Sequence, residues 1–391
     1  MKTSPVSEKS WSASAETPAR SAHGVPPWPA ALLAPAGVAL FAGLDAALLL
    51  LGLPAPVSPD RLPAVHGMLL VFGFVGALVA LERGVASRSR LGYAAPVLLG
   101  LGGLLLVSPA PLPVGTSSLL GGAIALVGVY VALWRRQRDA AVLVQALGAV
   151  LAAGALMMWL GGVAVPVLLP WLVGFIVLTV GGERLELARL TMGPAAGRTL
   201  VALSTGLAAG VVASLLWPPV GLPILGLAVL VLVGWLGSHD VARRTIRASG
   251  LARFMAVNML AGYLWLAVAG GTWLIGGPPA GGAAYDVVIH AVFLGFTMSM
   301  IMAHAPVILP AVLRRPLPYR PVLWVPLVLL HLSLAVRLWL GDAMGVHLAW
   351  QVGGTLNVAA LLLFFALAAW SVVTLARRRR RARLEVAGRA A

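Results

Sequence analysis

The sequence predicts an all-α polytopic membrane protein of twelve transmembrane helices, grouped as three blocks of four. Three observations lead there. Of 391 residues, 60% are hydrophobic and only 10% charged, with a mean hydropathy of +0.96, whereas a soluble domain carries roughly 25% charged residues. Twelve apolar runs each come near the roughly 20 residues that a bilayer-crossing helix needs. Basic residues recur in every second connector, as they do where short loops stay on the cytoplasmic side.

Taken in order, the expected spans are 28–53, 62–82, 92–108, 116–134, 140–164, 166–187, 199–217, 219–237, 253–277, 285–312, 320–341 and 346–375. Short connectors such as Pro109-Ala110-Pro111-Leu112-Pro113 and Trp217-Pro218-Pro219 suit tight turns. Residues 1–26 are polar and poor in large apolar side chains, which predicts a disordered cytoplasmic tail rather than a signal peptide. A membrane domain follows over 27–376, in blocks of about 28–134, 140–237 and 253–375, with a basic cytoplasmic tail at 377–391.

The net charge of +16 would suggest nucleic acid in a soluble protein. Here 26 of the 28 basic residues fall in the N-terminal tail, alternate connectors and the C-terminal tail, leaving Arg61 and Arg337 on the other side. Positive-inside topology accounts for the charge, so no nucleic-acid partner is expected, and both termini are predicted to be cytoplasmic. The bilayer is the expected partner of the apolar faces and of the Arg run. With no cysteine, disulfides, iron–sulfur clusters and thioether-attached haem are excluded.

Gly-Phe occurs three times, at Gly73-Phe74, Gly174-Phe175 and Gly295-Phe296, always in the second span of a group of four. Glu82-Arg83 and Glu183-Arg184 stand nine residues after the first two glycines. Trp134 precedes Asp139 by five, as Trp235 precedes Asp240. These echoes predict an internal threefold repeat.

Ionisable residues at depth mark function by default. His66 in span 2 and His290 in span 10 both lie roughly 6–8 Å below the outer hydrocarbon edge. Two imidazoles at one depth on parallel helices could clamp one haem iron; two separate histidines, each bonded to a backbone carbonyl, is the other reading. Gly73, seven residues after His66, is expected on nearly the same face, leaving room for a flat macrocycle, and Arg61 and Arg337 are the outer cations available to propionates. His304 and His331, at similar depth, could form a second metal site for copper or act as hydrogen-bonded core residues. Glu82 and Glu183 read either as an interfacial salt-bridged cap or as the mouth of a proton or cation path. Asn258, Tyr263 and Trp265 could line a cofactor or simply pack.

These residues resemble the NnrS family of twelve-span, haem- and copper-containing membrane proteins of the nitric-oxide response in denitrifying bacteria. The resemblance rests on His66-Gly67-Met68, Phe72-Gly73-Phe74-Val75, the 176–184 stretch with Gly181-Gly182, Gly262-Tyr263-Leu264-Trp265-Leu266-Ala267, His290-Ala291 before Gly295, and Leu334-Ala335-Val336-Arg337. It implies a haem–copper-oxidase-like fold of three four-helix blocks around a pseudo-threefold axis. It also implies haem b held by His66 and His290, and Arg337 beside a propionate. Spans 6 and 7 hold no histidine, so an oxidase-type copper site is not expected. The implied function is nitric-oxide response or respiratory electron transfer, with nitric oxide, quinol or a periplasmic electron donor as partner; any enzyme activity would be that of a haem-dependent oxidoreductase. The alternative is a proton-coupled transporter without haem.

Overall fold

The computed structural model describes residues 28–277, 281–313 and 318–390. Twelve of its helices are long and apolar enough to cross a membrane: α1 (Ala30–Leu50), α2 (Leu62–Ser87), α3 (Arg90–Val107), α4 (Leu112–Gln137), α5 (Ala140–Leu160), α6 (Val165–Arg189), α7 (Ala196–Leu216), α8 (Pro218–His239), α9 (Gly250–Gly276), α10 (Gly282–Val307), α11 (Pro321–Ala343) and α12 (His347–Leu375). The chain is therefore a multi-pass membrane protein, as its apolar runs predict. Helix is the form a chain can take in lipid without leaving backbone polar groups unpaired. The expected N-terminal tail lies outside the described residues. The expected basic tail at 377–391 continues as helix from α12 as far as Ala390.

Local chemistry sets the helix ends. Pro113, Pro166, Pro219 and Pro321 stand in first turns, where a missing N–H removes no intrahelical bond. Arg88 and Arg138 turn the chain after α2 and α4 with φ of 54° and 51°. The repeated aspartates act as caps: Asp139 accepts from the Ala141 amide at 3.0 Å and Asp240 from the Ala242 amide at 2.9 Å. Each also pairs with an arginine of α6, Asp139 with Arg189 and Asp240 with Arg184. The Trp/Asp echo in the sequence thus marks two anchor points for one helix.

The helices that carry Gly-Phe are the most deeply set. Their central windows are 67% (α2), 78% (α6) and 67% (α10) buried, against 33–56% for the other nine. Phe72 of α2 stacks on Phe175 of α6 at 5.8 Å. Around them α4 packs on α5, α8 on α9, and α12 on α1. Small residues permit the closest approaches: a Cβ at Gly226 of α8 would lie 2.5 Å from the Gly270 carbonyl oxygen of α9.

Three helices contain wide turns. Leu69–Gly76 in α2, Ala291–Met298 in α10 and Val336–Ala343 in α11 are π-helical. Such wide turns are rare and concentrate at functional sites. Here they adjoin His66 and His290 and contain Arg337.

Candidate functional site

Two polar clusters lie at opposite ends of the buried helices. At the end away from the basic connectors, Nδ1 of half-buried His66 lies 2.8 Å from the Gly43 carbonyl oxygen of α1. Nδ1 of His290 lies 2.9 Å from the Asp286 carbonyl oxygen and 3.2 Å from Asp286 Oδ1. Both partners are acceptors, so Nδ1 is the donor in each ring. No described residue hydrogen-bonds either Nε2. His66 is in electrostatic reach of His290, Asp286 and Arg337, so the structure gathers the two imidazoles, and each also makes the backbone-carbonyl bond that the reading as two separate histidines expects.

Asp286 organises this cluster. Its carboxylate receives Arg337 in fork geometry, Nε to Oδ2 and Nη2 to Oδ1, both at 3.0 Å. Arg337 is 7% exposed and lies along α12, where a Cβ at Gly353 would be 2.7 Å from its own Cβ. Two of its five N–H donors are thus spoken for, and Nη1 is outside the fork. Arg61 donates from Nη1 to the Ser108 carbonyl oxygen at 2.6 Å, tying the start of α2 to the end of α3.

One expectation for this site is corrected. Gly73 opens no slot for a macrocycle, because a Cβ there would lie 2.9 Å from the Ala39 Cβ and 3.2 Å from the Gly103 Cα. Its absent side chain serves the packing of α2 on α1 and α3. Seven residues span about two turns of α-helix, but the π-helical stretch intervenes and turns Gly73 off the expected face.

Of the two readings of His304 and His331, the structure shows hydrogen-bonded core residues and not a second metal site. His304 donates from Nδ1 to the Met300 carbonyl oxygen at 2.7 Å and accepts at Nε2 from Arg184 at 2.9 Å. His331 accepts at Nδ1 from the Trp265 indole at 2.9 Å, while its Nε2 lies 3.5 Å from Ser299 Oγ. The lone pair a metal would need is occupied in each ring, and the two serve different networks. Among the described residues no group of three or more His, Asp or Glu side chains is placed to hold a metal.

At the basic end, buried Arg83 collects three carboxylates: Glu82 at 2.7 Å, Glu186 at 2.9 Å and Glu183 at 4.0 Å. Glu82 and Glu183 are therefore both drawn to one arginine, the salt-bridged arrangement that was one of their two readings. Beside them Arg184 holds Asp240 through two bonds of 2.8 and 3.1 Å, and the Tyr263 hydroxyl donates to Asp240 at 2.7 Å. Burial pushes the Asp240 carboxyl up, but the Arg184 bonds and charge, the Ala242 amide and Tyr263 outweigh it and hold it below its ordinary range. Asn258 bonds within its own helix, to the Phe254 carbonyl oxygen at 2.8 Å.

Sequence reasoning missed Asp286, Glu186 in its pairing with Arg83, and Asp240 as a charge partner. Asp286 was within reach, since it stands four residues before His290 and hence on the same helical face. The Arg83–Glu186 and Arg184–Asp240 pairs join residues 103 and 56 positions apart, which no local pattern encodes.

A family model described as a domain of unknown function (DUF8744) matches residues 30–373, the whole run of membrane helices but the last two residues. No curated protein and no solved structure matches the chain.

Proposed function

We propose that this chain, which belongs to the DUF8744 family, is an integral-membrane b-type haem protein in which His66 and His290 hold one iron. The observation that carries this reading is the state of the two rings. Each Nδ1 is tied to an acceptor, and neither Nε2 has a hydrogen-bond partner among the described residues. Metal-bound histidines are typically held by this kind of second bond. Among the described residues no third His, Asp or Glu joins the two imidazoles, an arrangement that suits a macrocycle supplying the remaining ligands.

When bound, the haem supplies a one-electron iron couple. The chain's own part is to bind and tune. Gly43 and Asp286 would fix the orientations of the two rings, and the Asp286 carboxylate backs His290 where a neutral carbonyl backs His66. Arg337 balances that carboxylate, and its Nη1, with the remaining donors of Arg61, offers positive charge to propionates. His66 hangs on one neutral carbonyl, His290 on a carboxylate-backed network, so His66 is the more readily displaced. That asymmetry suits a site meant to answer nitric oxide; a fixed bis-imidazole pair would suit electron transfer from a quinol or a periplasmic donor.

The deep setting of α2, α6 and α10, with the three contacts that link successive groups of four, supports three blocks around a pseudo-threefold axis. The basic connectors support cytoplasmic termini in a bacterial inner membrane.

The test is a dithionite-reduced minus oxidised visible spectrum, with a pyridine haemochrome assay, on detergent-purified protein and on His66→Ala and His290→Ala. Sharp reduced bands lost in either variant are expected, as is a changed ferrous spectrum under saturating nitric oxide if the nitric-oxide reading holds. A colourless protein made with ample haem would overturn the proposal and favour a proton-coupled transporter.

A further inference from the structure

A cavity of about 300 Å³ lies among α1, α2, α6, α10 and α12, at the small end of the range for ligand pockets, roughly 300–1,000 Å³. Its walls are apolar, Phe74, Ile301 and Phe365 among them. Leu33 and Phe41 of α1 also line it, and Phe41 is 57% exposed, so the cavity reaches the face of α1 that meets lipid. Glu82 of α2 and Glu183 of α6 line it at the basic end. Leu33 stands near that end of α1, and Phe41, eight residues on, lies about 12 Å deeper. The slot therefore has carboxylates at the level of the membrane surface and an apolar length running toward the bilayer midplane.

The other polar lining groups are committed or turned away. Thr179 points its hydroxyl toward α5, where a Cβ at Gly148 would lie 3.3 Å from it. Thr297 donates to the Val292 carbonyl oxygen at 2.9 Å, and His304 is held by Met300 and Arg184. Arg83 directs one Nη to Glu82 and the other to Glu186, at 2.7 and 2.9 Å, and approaches Glu183 only to 4.0 Å, beyond hydrogen-bond distance. Arg184, the other cation near Glu183, holds Asp240 in a fork. Two guanidinium groups thus face four carboxylates. Glu183, its side chain 14% exposed, is the one without a hydrogen-bond partner among the described residues.

That unanswered charge selects the occupant. An anionic head would be repelled, and a neutral acyl chain would leave a buried carboxylate unpaired. A bare metal ion would exchange its hydration shell for hydrocarbon walls, with no set of three carboxylate or imidazole ligands among the described residues to replace it. We propose that this cavity binds an amphipathic organic cation, its ammonium head donating to Glu183 and its hydrocarbon body lying along Phe74 and Phe365 and leaving past Phe41. The inference rests on the cavity and the Glu183 carboxylate and stands independently of the haem reading.

The experiment is native mass spectrometry of the detergent-purified full chain titrated with decylammonium and, separately, with decan-1-ol, which has the same chain and no charge. One saturable equivalent of decylammonium is expected, with the alcohol about tenfold weaker, as the loss of one hydrogen bond to a charged group implies. Glu183→Gln should weaken decylammonium by the same factor and leave the alcohol nearly unchanged. Gly37 lines the cavity, and a Cβ there meets nothing within 4 Å; Gly37→Leu should therefore keep the melting temperature and abolish binding of both. Amine and alcohol bound alike would mean that a proton alone answers the Glu183 charge, and would overturn the proposal. So would decylammonium binding that survives Gly37→Leu or is unchanged in Glu183→Gln.

Discussion

Nη1 of Arg184 donates to Nε2 of His304 at 2.9 Å. This bond ties α6 to α10 and occupies the nitrogen by which His304 would otherwise reach a metal. His304→Ala should leave any haem bands unchanged while lowering stability by about 1–3 kcal/mol, the cost of an unmade buried hydrogen bond. Thermal melting and the reduced spectrum read the two effects separately. Loss of the bands would restore His304 to the ligand set.

The neighbouring pair Arg184–Asp240 predicts a pH dependence. The Asp240 carboxyl is held below its ordinary range by Arg184, so the unfolded chain takes up its proton first as pH falls. The pair's contribution is present in full above the unfolded carboxyl's value, near about 4, and is lost as pH drops through the lower folded value. Asp240→Asn should flatten the acid limb of a melting-temperature profile, and an unchanged limb would count against it.

Asp286 serves two masters, and its removal should show both. Asp286→Ala strands the buried Arg337 charge, and a broken buried pair costs about 3–5 kcal/mol. Adding Arg337→Met should recover part of the melting temperature. Asp286→Asn, which keeps the shape but also leaves the Arg337 charge unpaired, should destabilise as well and in addition change the haem midpoint potential, because His290 loses its charged partner. A potential that does not move would separate Asp286 from the iron.

Two glycines of α2 make an internal control. Gly73→Ala drives a methyl to 2.9 Å from the Ala39 Cβ and 3.2 Å from the Gly103 Cα, and overpacking of this kind costs about 1–3 kcal/mol. Gly67→Ala meets nothing within 4 Å and gains helix propensity of about 1 kcal/mol. Melting temperatures should move in opposite directions.

The spans were legible because apolar length is a one-dimensional quantity, and His66 with His290 because equal depth on two spans can be counted from their ends. Repeat position placed Glu82 and Glu183 at the same level of two helices, and one arginine draws both. Depth, however, is not facing. Gly73 was misplaced because counting residues assumes 3.6 per turn, while α2 contains a wider turn over Leu69–Gly76; equal depth alone left open whether His304 and His331 share a site or serve separate networks. The partners of His304 and His331 come from Arg184 and Trp265, 120 and 66 residues away, and their arrival depends on packing that no spacing rule contains.

The wide turns have a mechanical meaning. In a uniform α-helix the aim of every side chain is locked to every other, so moving one site drags the next. A residue gained or lost within such a helix rotates everything beyond it by about 100°. The stretches at Leu69–Gly76 and Ala291–Met298 lie between His66 and Glu82 on one helix and between His290 and His304 on the other. They work as rotary couplings set at a fixed offset: the imidazoles at one end can be aimed at each other while the polar groups at the other end keep their own bearings. Deleting one residue from either coupling would leave both half-helices intact and point one of them at the wrong neighbour.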